Sequence, residues 1–216
     1  VQGYIQILDE KSQRLRQLTA DLVEASKISS GNVKLDMQVI DLVELVYQTS
    51  GEFNEKFEQK ELTIVTKLPK TAVLIRADGR QLYRVIENLY NNVAKYALEK
   101  TRVYVDIAYV EEKVVFSIKN VSEHSLAREN SNAGDLTERF IRGDSSRTTE
   151  GSGLGLSIAK SLTVLMGGVF DIKVDGDLFK ASITFPQYVD ENSSNPKMEE
   201  PASDCLLYTS PSPRDS

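Results

Sequence analysis

Residues 78–98, DGRQLYRVIENLYNNVAKYAL, decide how the rest of the chain is read. Asp78 is a short polar acceptor of the kind that starts helices, with Gln81 three residues on. Leu82, Val85, Ile86, Leu89, Val93 and Tyr96 then recur at spacings of three and four, which predicts one helix with a broad apolar face. At about 100° per residue, Asn88, Asn92 and Lys95 fall on a separate stripe roughly a quarter-turn away. Two amides and an ammonium therefore point the same way. Amide oxygens suit a hard cation such as Mg²⁺ and an ammonium suits a phosphate, although any amphipathic helix also shows a polar face to water.

Working outward, 216 residues hold one ordinary domain plus a smaller element. A hydrophobic fraction of 40% and a charged fraction of 27% are those of a globular protein. The formal charge of −6 argues against a nucleic-acid backbone as the main partner, while leaving a metal-neutralised polyphosphate open. Cys205 is the only cysteine, which excludes an intrachain disulfide and a cysteine zinc site. No apolar run approaches the roughly 20 residues needed to span a bilayer. The start, VQGYIQILDE, opens in mid-pattern on a valine and is expected to belong to something longer.

From Ile5 to Ile28, Leu8, Leu15, Leu18, Leu22 and Ala25 follow heptad-like spacing, broken at Lys11, and predict a helix that needs partner helices. Gly31 and Asn32 end it. Asp41 and Glu44 read as a capping box for a second helix through about Gln59. Strands are expected over Leu62–Leu68, Val73–Arg76, Arg102–Tyr109 and Lys113–Asn120. Periodicity then stops between Val121 and Gly151, and a loop of that length in a compact domain is more often a lid than a spacer. After GSGLGL come a helix from about Leu154 to Met166 and strands around Val169–Val174 and Lys180–Phe185. Beyond Gln187 the composition predicts disorder, and the closing CLLYTSPSPRDS resembles translated adapter sequence.

Gly151, Gly153 and Gly155 sit where a loop meets a helix start, so backbone N–H groups there can approach an anion at the positive helix end. Just upstream, LTERFIRGDSSR sets Arg139, Arg142 and Arg147 around Phe140. The order of these pieces resembles the catalytic and ATP-binding domain of sensor histidine kinases, in the ATPase superfamily shared with gyrase, Hsp90 and MutL. ENLYNNVAKY looks like the N box, ERFIRGDSSR the F box and GSGLGL the second glycine box.

The resemblance implies an α/β two-layer sandwich, a mixed sheet covered by helices on one face and preceded by one helix of an incomplete dimerisation and phosphotransfer hairpin. Its implied segments are 1–30 for the second hairpin helix, 31–40 for a linker, 41–187 for the catalytic domain and 188–216 for a tail. It further implies that Asn88 and Asn92 hold the Mg²⁺ of bound ATP, that Lys95 and Tyr96 meet phosphate and ribose, and that Glu87 is an acidic helper. Arg142 or Arg147 would meet the γ-phosphate, while Gly151, Gly153, Leu154 and Gly155 would form the turn over the triphosphate.

Implied partners are a response regulator and a second copy through the hairpin, with no nucleic acid. The expected place is cytoplasmic, with any membrane contact made by missing upstream segments. Two departures stand out. Alternation through Val114, Phe116 and Ile118 puts Asn120 where the family has an adenine-reading Asp, and the glycines expected after it are Ser122 and His124. His124, the only histidine, also lacks a phosphoacceptor's helix and acidic neighbour, so this chain is not expected to phosphorylate itself. The competing readings are a degenerate nucleotide-binding regulatory domain and an ATP-driven clamp of the gyrase or MutL kind.

Overall fold

Strict alternation of apolar and polar residues makes one face of a sheet bury itself while the other stays in water. A computed structural model, which describes residues 2–29, 33–123 and 154–189, shows this over strands β2 (Thr63–Lys67), β4 (Arg102–Val110), β5 (Lys113–Val121), β6 (Val169–Asp175) and β7 (Leu178–Pro186). They pair in the order β2-β4-β5-β7-β6. The β2-β4 pair is parallel and the others are antiparallel, so the sheet is mixed as expected. Val103, Val105, Phe116, Ile118, Ala181 and Ile183 are fully buried on one face. Charged neighbours occupy the other: Lys119 Nζ lies 3.3 Å from Asp106 and 5.6 Å from the centre of the Tyr104 ring.

Helices α2 (Leu42–Glu58), α3 (Gly79–Tyr96) and α4 (Gly155–Leu165) cover the apolar face. The helix expected from Asp78 forms with Leu82, Val85, Ile86, Leu89, Tyr90 and Val93 buried. Tyr90, absent from the predicted stripe, is at its centre: its ring stacks on Phe57 at 6.0 Å and meets Phe53 at 5.3 Å. The Tyr90 hydroxyl lies 2.6 Å from Ser50 Oγ, which itself donates to the Val46 carbonyl, so the phenol is the donor of the pair.

The start of α2 differs from the expected capping box. Asp41 accepts from the Val43 N–H, and the same oxygen accepts from the Val73 N–H, so the carboxylate links the helix start to the residue just before Leu74, beyond β2. Asp78 does similar double service. One oxygen caps α3 through the Gln81 N–H at 3.0 Å, and the other takes the Asp36 N–H at 2.9 Å. Burial alone would raise the Asp78 pKa, but the N–H bonds from Asp36, Gln81 and Arg80, with the Arg80 charge, leave it lowered.

Asp36 leads into a strand the sequence reading left as linker, β1 (Gln38–Asp41), which pairs antiparallel with β3 (Leu74–Ala77) as a separate two-stranded sheet. Four residues with only half their side chains sheltered carry too short a pattern to be seen. At the other end the chain keeps to the fold just past Gln187, since the Tyr188 N–H donates to the Leu74 carbonyl.

The heptad-like helix forms as α1 (Gln2–Ser29). Ala25 and Ile28 near its end pack on the domain core, whereas Leu8, Leu15 and Leu22 are exposed. Among the described residues no helix is long and apolar enough to cross a membrane.

Candidate functional site

The end of β5 is tied to the end of α3, and the start of α4 lies against the middle of the same helix. Asn88 lies part-buried in the middle of α3. Its amide nitrogen donates to the Arg84 carbonyl one turn back at 3.0 Å, which leaves Oδ1 as the outward acceptor. That oxygen faces α4 so closely that a Cβ on Gly155 would sit 3.0 Å from it. Glycine at the helix start leaves the Asn88 oxygen this place, which an added Cβ would contest.

Leu154, the N-cap of α4, makes no side-chain cap hydrogen bond, and the first turn has no acidic residue. The Asn88 oxygen thus lies beside the first residue of α4, near the positive end of that helix. Asn92 is part-buried one turn further along α3, and Lys95 is exposed at its end beside part-buried Tyr96. The predicted stripe is present on the helix, with its amides part-buried and its ammonium in solvent. Glu87 points about 100° away from Asn88 around the helix. Its charge is felt by Tyr83, whose hydroxyl donates to Glu52 at 2.6 Å; that bond first, then burial and the Glu87 and Glu52 charges, push the Tyr83 phenol up to about 12.

Asn120 ends the inward face of β5 and is 2% exposed. Its amide nitrogen donates to the Val121 carbonyl at 3.0 Å, and its Oδ1 is buried with no hydrogen-bond partner among the described residues. A buried amide oxygen left unpaired costs about 1–3 kcal/mol, so its persistence in one place asks for a donor from outside. The position is held by stitching: Leu98 N–H also donates to the Val121 carbonyl, Glu123 N–H donates to the Tyr96 carbonyl, and Ala97 bridges Ser122. Sequence reading placed Asn120 on the inward face but gave no sign that one amide atom would be satisfied and the other orphaned.

The structure therefore places Gly155 against Asn88 and ties the end of β5, just past Asn120, to Tyr96 and Leu98 at the end of α3, with Asn92 part-buried and Lys95 exposed on the same helix. Arg142, Arg147, Gly151, Gly153 and His124 lie outside the described residues. The residue that sequence reading missed is Lys60, whose ammonium donates to the Lys95 carbonyl at 2.9 Å and lies 3.4 Å from that of Ala97.

Residues 77–195, more than half of the chain, match the family described as Histidine kinase-, DNA gyrase B-, and HSP90-like ATPase, and the chain belongs to it. Within that family its relatives are sensor kinases. It is 29% identical over 164 residues to the alginate biosynthesis sensor protein KinB of Pseudomonas aeruginosa, covering 76% of this chain and 27% of that protein. It is 24% identical over 186 residues to the sensor histidine kinase WalK of Bacillus subtilis, covering 85% of this chain and 30% of WalK. The chain thus spans less than a third of the length of either. Its fold is shared with full-length ShkA, solved in complex with AMPPNP, at a TM-score of 0.72 and 21% identity over 88% of this chain and 39% of that one. The resemblance read from the three motifs, and the layered fold it implied, are borne out.

Proposed function

We propose that this chain is the ATP-binding catalytic module of a two-component sensor histidine kinase, phosphorylating a histidine for transfer to a response-regulator aspartate. The observation that carries the nucleotide reading is Asn120: a buried, oriented and unpartnered acceptor beside the last turn of α3 suits the exocyclic amino group of adenine. From there the groove runs along α3 towards Asn88, about 12 Å over eight residues at helical rise. Lys95 and Tyr96 contact the phosphate and ribose, and the start of α4 faces the polyphosphate.

A divalent ion fits the donor set. Asn88 spends its nitrogen on Arg84 and keeps its oxygen, and Asn92 offers a second amide one turn on. The two amide oxygens would hold Mg²⁺ beside the phosphates of ATP, and the ion would supply charge neutralisation. The protein's own share is to align the γ-phosphate: the α4 N–H groups hold it, Glu87 faces the incoming acceptor, and Arg142 or Arg147 meets the charge that moves. The domain division 1–30, 31–40, 41–187 and 188–216 is part of the same proposal, as is pairing of two copies through the hairpin.

A second reading, a regulatory domain that binds nucleotide without transfer, draws on Asn120 and Ser122 in place of an Asp and a glycine. The two readings share the first test. Calorimetry with ATP and Mg²⁺ is expected to show binding by the wild type and a loss of about tenfold or more in Asn92→Ala, for one charge-assisted contact. Equal affinities would remove Asn92 from the metal site. The second reading alone predicts that the module never labels a histidine supplied on a hairpin.

A further inference from the structure

A helix leaves its last carbonyls unpaired and carries a partial negative charge there. In α3 that end bears Lys95 and Tyr96, so a phosphate met by the Lys95 ammonium is drawn towards the wrong pole of the helix. The last carbonyls of α3 do not go unpaired. Tyr96 O is taken by the Glu123 N–H at 2.9 Å. Lys60 Nζ takes Lys95 O at 2.9 Å and lies 3.4 Å from Ala97 O. The last turn is thereby gripped from two sides, by β5 through Glu123 and by the α2–β2 turn through Lys60. The turn that carries Lys60 is itself fixed, since its N–H donates to Phe57 O at 3.2 Å and its carbonyl accepts from the Lys100 N–H at 3.1 Å. An ammonium held on a rigid turn can both aim the neighbouring side chains and offset the pole beneath them.

We propose that Lys60, though remote in sequence from every nucleotide-binding motif, is a positioning residue of the nucleotide site: it holds the last turn of α3 and neutralises its negative end, so that Lys95 and Tyr96 meet the triphosphate. This rests on the reading of those two residues as nucleotide contacts. The role has two parts, and both are lost in Lys60→Met, whereas Lys60→Arg keeps a cation able to reach the same carbonyls.

The test is calorimetric titration of wild type, Lys60→Met and Lys60→Arg with Mg²⁺-ATP and with adenosine, alongside thermal melts. Lys60→Met is expected to lose about three- to tenfold in ATP affinity, a helix-pole effect in a partly sheltered place, while adenosine affinity changes less. Lys60→Arg is expected to restore most of the loss. A merely structural lysine would lower the melting temperature and weaken both ligands alike, and that result overturns the proposal. So does unchanged ATP affinity in Lys60→Met when the wild type binds ATP. Absence of ATP binding by the wild type itself would instead overturn the nucleotide reading, and this role with it.

Discussion

At Asn120 the two ends of one amide have different tasks. Nδ2 is tied to the Val121 carbonyl and Oδ1 faces inward without a partner, so the side chain is held in the orientation that accepts rather than donates. Asn120→Leu is expected to weaken ATP binding by about 1–3 kcal/mol, because the base amino group would then be buried unpaired; calorimetry reads it. From sequence alone, Asn120→Asp promises tighter binding through a charged acceptor. The geometry reverses that expectation, since a carboxylate oxygen would stand where Nδ2 now donates, 3.0 Å from a carbonyl. Burial and that carbonyl both raise the pKa of the new acid above its unfolded value. The variant is therefore most stable at low pH and loses stability as pH rises through its folded pKa, so thermal melts of Asn120→Asp should improve on acidification relative to wild type. A variant more stable and tighter-binding at neutral pH would show that the amide lock is unimportant.

Among the elements, the contact of α2 with α3 combines the Phe53, Phe57 and Tyr90 rings and the Tyr83–Glu52 bond with one buried hydroxyl pair. Because Tyr90 donates and Ser50 accepts while bonded to Val46, the two halves are unequal. Ser50→Ala strands a buried phenol O–H and should cost about 1–3 kcal/mol, whereas Tyr90→Phe removes the donor with the site filled and should cost about 1 kcal/mol; urea melts compare them. Burial pushes the Tyr90 phenol up to about 12. A raised acid stabilises the fold below its unfolded value near 10 and ceases to do so as pH climbs towards 12, so the advantage of wild type over Tyr90→Phe should shrink across that window.

The two ends of α4 respond differently to one added methyl. A Cβ at Gly168, just past the helix, would lie 2.6 Å from the buried Phe185 ring and 2.9 Å from Thr163 Cγ2, so Gly168→Ala should lower stability by about 1–3 kcal/mol. At Gly155 the added carbon would meet only the Asn88 amide at 3.0 Å. Gly155→Ala should therefore displace that oxygen and reduce Mg²⁺-dependent ATP affinity with little change in melting temperature. The opposite pattern would remove Asn88 from the site.

On the scale of the molecule, α1 is joined to the sandwich by its last turns and by Asp78, which holds the segment after α1 and caps α3 with the same carboxylate. Leu8, Leu15 and Leu22 face water along the rest of α1, as a helix waiting for partner helices does. His124 follows β5 by three residues, in the sequence between that strand and GSGLGL. Transfer needs an acceptor nitrogen in line with the leaving oxygen, and misplacement by about 1 Å costs around a hundredfold. This chain incubated with γ-labelled ATP is thus expected to remain unlabelled, and a separate hairpin bearing a histidine to take acid-labile label when added. Stoichiometric label on His124 would overturn the assignment of that residue as a loop histidine.

Local periodicity was enough for the helices and for the strands of the large sheet, because each carries at least one stretch of period 3.6 or 2 within its own residues. The order of motifs was enough for the family, because the ATP-site chemistry is spread over three short segments whose residue types are specific. The strand β1, the shared carboxylates of Asp41 and Asp78, the orphaned oxygen of Asn120 and the grip of Lys60 on α3 were not legible. All but the Asn120 oxygen depend on a partner 30 or more residues away, such as Asp36 on Asp78 or Lys60 on Lys95, and no local pattern encodes which backbone group a side chain will meet. Whether a polar side chain is satisfied, shared or left unpaired is decided only when distant segments are packed together, which is why the sequence determined the layers and the family while the tertiary structure decided which atoms remain available for a ligand.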